Sequence, residues 1–134
     1  MNHKDEISVQ RLHSQFQGLA DEVNGWIEKG YEPFGILGSR SNALVQPMRL
    51  KSTQDSRKIK YVIVVGSGDT AVKAEHKISL GIEFEQRNGF VAYGTIVVIK
   101  EHSGAYNPKG WVYVYQPMLK TAEHTGMMKA IWTA

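Results

Sequence analysis

Cysteine is absent from this chain of 134 residues. Disulfide bonds, a thiolate nucleophile, a cysteine-ligated zinc ion and an iron–sulfur cluster are therefore excluded. No apolar run approaches the roughly 18 residues that a membrane-spanning helix needs, and the first residues lack the apolar segment of a signal peptide. From these absences we expect a cytoplasmic protein without a membrane segment.

Excess charge of one sign is also small, because 16 Lys and Arg side chains accompany 13 Asp and Glu side chains, for a net charge of +3. With 42% apolar and 22% charged residues, the composition is that of an ordinary globular chain. A chain of this length forms one domain or two very small ones, which is too little for a large multi-step enzyme.

Motifs for metal binding and nucleophilic catalysis are missing as well. The five histidines are scattered, and none is spaced to place two imidazoles on one helical face, so we expect surface or capping histidines and neither metal nor cofactor. Ser67 follows a predicted strand, but Val65 stands where a nucleophile elbow has its first glycine. The turn from Val65 to Thr70 is the best candidate phosphate loop, yet a plain strand-to-helix turn explains it better.

An internal repeat organises the chain. A Gly-aromatic-x-x-aromatic-Gly frame occurs at residues 30–35 and again at 89–94, and each frame is followed by Gln-Pro-Met, at residues 46–48 and 116–118. The frames lie 59 positions apart and the triplets 70, which places eleven extra residues inside the second copy. We predict that the extra length forms an extended hairpin loop centred on the polar segment 102–110.

Hydrophobic periodicity predicts a strand, a helix and a hairpin in the first copy. Residues 6–12 alternate weakly and form either a strand or the first turns of a helix. Helical spacing then runs from Ser14 to Lys29, and strands follow near Phe34–Leu37 and Ala43–Leu50.

The second copy opens with Lys60–Val65, a β-branched run expected to be a strand covered on both faces. A helix capped at Asp69-Thr70 and running to Asn88 follows, although alternation in its second half also permits a strand. We favour the helix because the first copy shows helical spacing at the same offset. Two more strands are predicted, at Thr95–Lys100 and Trp111–Leu119.

These elements predict an α+β fold, an antiparallel sheet with helices packed on one face, built from two degenerate βαββ repeats. The first repeat spans residues 1–51, a basic polar connector spans 52–59, the second repeat spans 60–120 and a C-terminal tail spans 121–134. Neither repeat alone would bury much core, so we expect both to fold as one body. The tail is apolar at helical spacing around Met127 and Trp132, and it packs on its own chain or on a partner.

The repeat frame resembles a small uncharacterised domain family of bacteria and phages with a strand–helix–strand–strand layout. That family has Gly-Trp-x-x-x-Gly at the end of its helix and a Tyr-Gln-Ala-Met-like stretch in its last strand. Here Tyr31 and Phe90 replace the tryptophan, and Pro47 and Pro117 replace the alanine. The resemblance covers residues 60–120 well and 14–51 less well. It implies the strand–helix–strand–strand fold and indicates no biochemical role.

Aromatic and basic side chains supply the candidate binding residues. Trp111, Tyr113 and Tyr115 fall on one face of the last predicted strand and form an aromatic row. If exposed, the row stacks nucleobases while nearby arginines hold phosphate; if covered, it is an aromatic ladder within the sheet. The predicted ligand-binding residues are Arg40, Arg49, Tyr93, Tyr106, Trp111 and Tyr113.

Two further features bear on binding. Residues 49–60 hold five basic side chains against one Asp, which suits phosphate contacts or a solvated link. Gln46 and Gln116 need partners for their amides, either hairpin backbone or a ligand. Pro47 and Pro117 indicate that their strands end there or run along a sheet edge, where a second protomer could add.

On these grounds we predict a non-enzymatic, homo-oligomeric binding protein, encoded by a phage, that sequesters a small anionic ligand such as a nucleotide signal. Small phage proteins that sequester nucleotide immune signals are similar in size, although no motif of theirs occurs here. The alternative is a protein–protein interaction module that inhibits a host factor. A small hydrolase is the third hypothesis. It ranks last because the sequence has no acid–base pair at a usable spacing.

Overall fold

The computed structural model describes residues 5–101, 110–125 and 129–132, and within these ranges the fold is α+β, as predicted. The predicted loop at 102–110 lies outside the described residues except for Gly110. The first unit contains β1 (Glu6–Leu12), α1 (Phe16–Glu28), β2 (Tyr31–Pro33), β3 (Gly38–Arg40) and β4 (Ala43–Leu50). The second contains β5 (Lys58–Gly68), α2 (Ala71–Arg87), β6 (Val91–Ala92), β7 (Val97–Glu101), β8 (Trp111–Thr125) and β9 (Lys129–Trp132).

The strands form two antiparallel sheets instead of one. In the first sheet, β4 pairs with β1 on one side and with β2 and β3 on the other. In the second sheet, β8 holds the same central place between β5 and the short strands β6 and β7. The far end of β8 also pairs with β9, so the tail, despite its helical spacing, contributes a strand. The backbone of β9 pairs with backbone groups at that end of β8.

Both units repeat the same irregularity in their hairpins. In the first sheet Pro33 pairs with Met48 and Gly38 with Val45, so that residues 34–37 lie opposite only two residues of β4. In the second sheet residues 93–96 lie opposite two residues of β8 in the same way. We call these segments the first loop (34–37) and the second loop (93–96). The register of each hairpin therefore repeats along with the sequence frame.

Pro47 and Pro117 lie inside central strands, so the prediction that their strands end there or run along an edge is wrong. Each proline carbonyl accepts a hydrogen bond from the loop opposite it, from Phe34 N at 3.1 Å or Tyr93 N at 2.9 Å. The nitrogen of a strand residue faces the same side as its carbonyl, so the proline nitrogens face the loops, where the ladder is already interrupted. The strands can continue because the prolines remove no ladder hydrogen bond.

The two units share one hydrophobic core. Tyr61 and Ile63 of β5 and Tyr115 of β8 point to one face of the second sheet, where they pack with Leu19 of α1 and Leu44 of β4. This arrangement places α1 and the first sheet against the second sheet. Burial of this apolar surface joins the units into one body.

The opposite face of the second sheet is covered by α2. Ala74 and Ile78 of α2 pack against Val114 of β8, with Val64 of β5 at the margin. The expectation that both helices lie on one face is therefore corrected. The reason is that β5 is apolar on both faces, as its sequence predicts, and each face needs its own cover.

The free edge of β5 is capped by one side chain from α1. Asn24 Nδ2 donates to Tyr61 O at 2.8 Å, and Asn24 Oδ1 accepts from Tyr61 N at 3.0 Å. Asn24 Nδ2 also donates to Ala20 O at 2.9 Å, which fixes the side chain to its own helix. The amide thus pairs with the strand much as a neighbouring strand would, and α1 protects an otherwise open edge.

Replacing Asn24 with alanine is expected to lower the free energy of unfolding by about 1–3 kcal/mol, because the N–H and C=O of Tyr61 lose their partners. Urea denaturation measures the change. Gln17→Ala, an exposed position on the same helix, is the control and is expected to stay within about 0.5 kcal/mol of the parent. Equal values for the two variants would contradict the role given to Asn24.

Neither α1 nor α2 is long and apolar enough to cross a membrane, and the described residues contain no other candidate span.

Candidate functional site

The structure separates the predicted ligand-binding residues. Arg49 and Tyr93 line one cleft, whereas Trp111 and Tyr113 lie at the start of β8, several residues away along the strand. Arg40 is exposed at the end of β3, where it pairs with Ala43 across the turn. Tyr106, the remaining candidate, lies outside the described residues. The five of these residues that the structure describes therefore do not form one site.

The aromatic row is covered at one end. Tyr115 is 1% exposed and belongs to the shared core, while Trp111 and Tyr113 are half-buried. The rings of Tyr113 and Tyr115 are stacked, with centroids 6.5 Å apart and planes inclined by 14°. These contacts favour the aromatic ladder over an open stacking surface.

His13 forms a buried polar cluster that the sequence did not reveal. Its Nδ1 lies 2.7 Å from the hydroxyl of Tyr115 and its Nε2 lies 3.1 Å from Glu101 Oε1. The Tyr115 hydroxyl also approaches His13 O at 3.1 Å. With 4% of its surface exposed, His13 is not the surface histidine that was expected. Alternation from Ile7 and Val9, extended beyond the strand, would have placed it on the core face.

The His13 cluster combines an imidazole, a phenol and a carboxylate, which are acid–base groups. Burial raises the pKa of the Tyr115 phenol above its ordinary value, so the phenol stays protonated and acts as a hydrogen-bond group. Neither His13 nor Tyr115 is accessible to a substrate. The cluster therefore joins the first unit to β7 and β8, and we assign it a structural role.

The segment from Val65 to Thr70 is not a phosphate loop. β5 continues through Gly68, so Ser67 lies within a strand and the predicted turn begins only after it. Thr70 Oγ1 accepts from Lys73 N at 3.2 Å and thereby caps α2. The glycines serve packing, because a Cβ on Gly66 would collide with the backbone of α2.

Gln46 and Gln116 find their amide partners within the protein. Gln116 Nε2 donates to Pro117 O at 2.8 Å, and the carbonyls of Tyr93 and Gly94 in the second loop lie 3.4 Å away. Gln46 Oε1 accepts from the Tyr61 hydroxyl at 2.7 Å. Burial raises the pKa of this phenol, which keeps it a donor. Gln116 therefore binds its own hairpin loop and Gln46 binds β5 of the other sheet, so protein groups satisfy both side chains.

A cleft of about 570 Å³ lies between the connector and the C-terminal end of α1. We call it the connector cleft. It is lined by four cationic and two anionic side chains together with neutral residues: Asn24, Ile27, Glu28, Gly30, Lys51, Asp55, Ser56, Arg57, Lys58, Ile59 and Lys60. Its size is within the range of about 300–1,000 Å³ that small-molecule sites occupy, and its excess of cations favours an anion.

The connector is folded into a fixed turn. Arg57 binds Asp55 with Nε at 2.9 Å and Nη2 at 2.6 Å, and these hydrogen bonds lower the pKa of the Asp55 carboxyl to about 2. Lys51 Nζ donates to Arg57 O at 2.6 Å, which ties the turn to the residue that follows β4. The connector is thus a defined wall of the cleft, with its own internal hydrogen bonds.

A second cleft, of about 340 Å³, lies where the first and second loops meet. We call it the loop cleft. It is lined by Glu32, Pro33, Phe34, Gly35, Arg49, Arg57, Ile59, Tyr93, Leu119 and Thr121. Contact between the loops is close, since Ile36 Cγ2 lies 3.2 Å from the point where a Cβ of Gly94 would stand. Arg57 and Ile59 line both clefts, so the two clefts adjoin.

Ion pairs order the polar half of the loop cleft. Glu32 accepts from Arg49 Nε at 2.9 Å and from Arg57 Nη2 at 3.4 Å. The Arg49 guanidinium also lies over the ring of Phe34, with Cζ 5.6 Å from the ring centroid. Burial raises the pKa of Tyr93, and the nearby Arg49 opposes that shift. Two guanidinium groups therefore converge on one carboxylate beside two aromatic rings.

The described residues hold no group of three or more His, Cys, Asp and Glu side chains arranged to bind a metal ion. Comparison of the chain with protein-family models, with curated proteins and with solved structures found no match.

Proposed function

We propose that this protein is a non-enzymatic binding protein that holds a small anionic ligand in the connector cleft. The observation that carries the proposal is the cleft itself, because four cationic residues, Lys51, Arg57, Lys58 and Lys60, line one concavity of about 570 Å³. An excess of positive charge around a concave, partly apolar surface raises the local concentration of anions.

The ordered connector supports this proposal. A rigid wall loses little conformational entropy when a ligand binds, so more of the interaction energy appears as affinity. Lys51 and Arg57 already occupy fixed positions through the hydrogen bonds of the turn. Lys58 and Lys60 follow on β5, and both are exposed. Both line the cleft, so their charges add to the attraction of an anion there.

Thermal melts with inorganic pyrophosphate and with nucleotides, at constant ionic strength, test the proposal. Binding to the native state alone stabilises it by mass action, so the melting temperature is expected to rise. The double variant Lys58→Gln, Lys60→Gln is expected to weaken binding by about ten-fold or more, because each lysine supplies a charge-assisted contact.

The matched control is Lys77→Gln, Lys100→Gln, which removes the same charge from exposed positions outside the cleft. This variant is expected to keep the ligand-induced shift in melting temperature. If Lys58 and Lys60 serve only to offset the C-terminal end of α1, their replacement lowers stability and leaves the ligand-induced shift unchanged. That result would overturn the proposal.

A protein–protein interaction module that inhibits a host factor is the second candidate. The observation that favours it is the outer face of α2, where Val72 is 75%, Leu80 55% and Phe84 61% exposed. Apolar side chains grouped on a helix surface are typical of partner contacts. If this second candidate is right, the protein forms a stable complex in host lysate, and Leu80→Gln and Phe84→Gln abolish that complex. Nucleotides then leave the melting temperature of the protein unchanged.

Origin from a phage, sequestration of a nucleotide signal and homo-oligomerisation stay predictions. Light scattering of the purified protein measures its oligomeric state independently of ligand.

A further inference from the structure

The loop cleft is asymmetric in charge although repeated segments form its two sides. The first loop contributes Phe34 and the second contributes Tyr93, at equivalent positions of the sequence frame. Beside them, however, the first unit has Arg49 where the second has Leu119. One side of the cleft is therefore charged, and the other side is apolar. A ligand suited to it has a charged end and a planar apolar part.

Both rings are partly exposed at the cleft. Phe34 and Tyr93 are half-buried, and neither belongs to the two core clusters found among the described residues. Aromatic rings at a partly open cleft stack planar groups, and such stacking tolerates any nucleobase because every base has a π-face. The volume of about 340 Å³ suits one ring system.

The loop cleft also adjoins the connector cleft. Arg57 has its guanidinium on Asp55 and Glu32, and it lines both clefts together with Ile59. A ligand that fills both clefts would span Arg57, with its anionic group in the connector cleft and its ring beside Phe34 and Tyr93.

We infer that the loop cleft receives the planar ring of the ligand whose phosphate groups lie in the connector cleft, so that the ligand is a nucleotide. This inference rests on the proposed function, since it assigns a second part of the same ligand to an adjoining cleft. Phe34 and Tyr93 are the ring-binding residues, and Arg57 lies between the ring and the phosphates.

Isothermal titration calorimetry of the full chain with ADP, UDP and inorganic pyrophosphate tests the inference. The wild-type protein is expected to bind ADP at least about ten-fold more tightly than pyrophosphate, because ADP has a base that can stack on the rings and pyrophosphate has none. UDP, with a smaller base, is expected to fall between them. Equal affinity for ADP and pyrophosphate would overturn the inference and leave the proposed function intact, whereas no binding of any probe would overturn both.

Ring-removing variants give a second test. Tyr93→Leu and Phe34→Leu are each expected to lose about five-fold or more of the affinity for ADP while the affinity for pyrophosphate is unchanged. Tyr93→Phe keeps a ring and is expected to restore ADP binding, and Phe84→Leu, on the outer face of α2, is the matched control. If the Leu variants lose affinity for ADP and for pyrophosphate to the same extent, and Tyr93→Phe does not restore the affinity for ADP, the inference is contradicted.

Discussion

Replacement of Gly66 by alanine is expected to lower the free energy of unfolding by about 3 kcal/mol or more, the upper part of the range for overpacked interiors. The added Cβ would lie 2.5 Å from Ile78 N and closer still to Ala74 O. Both are backbone atoms of α2, so no side chain can turn aside to make room. Helix α2 would have to move away from β5, and the contacts of Ala74 and Ile78 with Val114 would be lost.

Urea denaturation of Gly66→Ala beside Gly25→Ala measures this effect. Gly25 lies in α1, and apart from its chain neighbours and the nearby backbone of its own helix, no atom of the described residues lies within 4 Å of its added Cβ. Alanine there is expected to stabilise the helix by about 0.5–1 kcal/mol, because it restricts the unfolded chain. The two substitutions are chemically identical. Changes of opposite sign in the free energy of unfolding would therefore show that the close approach of α2 to β5 causes the loss in Gly66→Ala. A Gly66→Ala protein as stable as the parent would contradict the packing described for α2.

His13→Ala is expected to destabilise the protein by about 2–4 kcal/mol, because a buried ring is removed and its polar partners lose their hydrogen bonds. The imidazole contacts the Tyr115 hydroxyl on one side and Glu101 on the other. Its ring also lies 4.9 Å from that of Tyr113, centroid to centroid. A single residue of the first unit thus contacts both central and edge strands of the second sheet.

The control for His13 is His76→Ala, at an exposed position of α2, which is expected to change stability by less than about 0.5 kcal/mol. A double-mutant cycle of His13→Ala with Tyr115→Phe is expected to show a coupling energy within about 0.5–3 kcal/mol. Zero coupling, or a His13 variant no less stable than the His76 variant, would show that the cluster does not join the units.

The helices could be predicted because their signals are local. Apolar residues recur at helical spacing at Leu19, Val23 and Ile27, and all three lie in α1. Thr70 caps α2 and Gly89, with a φ of +91°, follows its end. The strand alternative for residues in the second half of α2 failed because an uninterrupted helix buries Ile78 against the sheet.

The division into two sheets could not be predicted, because strand pairing between units depends on contacts far apart in sequence. A single larger sheet would need another strand at the free edge of β5. Asn24 occupies that edge at Tyr61 instead, and a lone Asn within a helix gives no signal of this role. The prediction that the strands of Pro47 and Pro117 end there or run along an edge was wrong for a related reason. The loops that accommodate these prolines lie some thirteen or more residues away in the chain.

The site was predictable in its components but not in its assembly. The basic residues near the connector stand out in the sequence, yet a solvated link has the same composition. Only the packing of the connector against α1 makes a cleft of them. Arg49 and Tyr93 line the adjoining loop cleft, which shares Arg57 with the connector cleft, whereas Tyr113 packs against His13. Period-two alternation specifies a face of β8 and not what covers that face.

Amide chemical shifts of the ¹⁵N-labelled protein during titration with pyrophosphate test the proposed site most directly. Saturable shifts are expected for residues 55–60 of the connector and β5, with an apparent affinity that falls as salt is added. Outer residues of α2 such as Leu80 and Phe84 are expected to stay unchanged. Shifts confined to α2 or to the start of β8 near Trp111, or no saturable shift in residues 55–60, would contradict the proposed site.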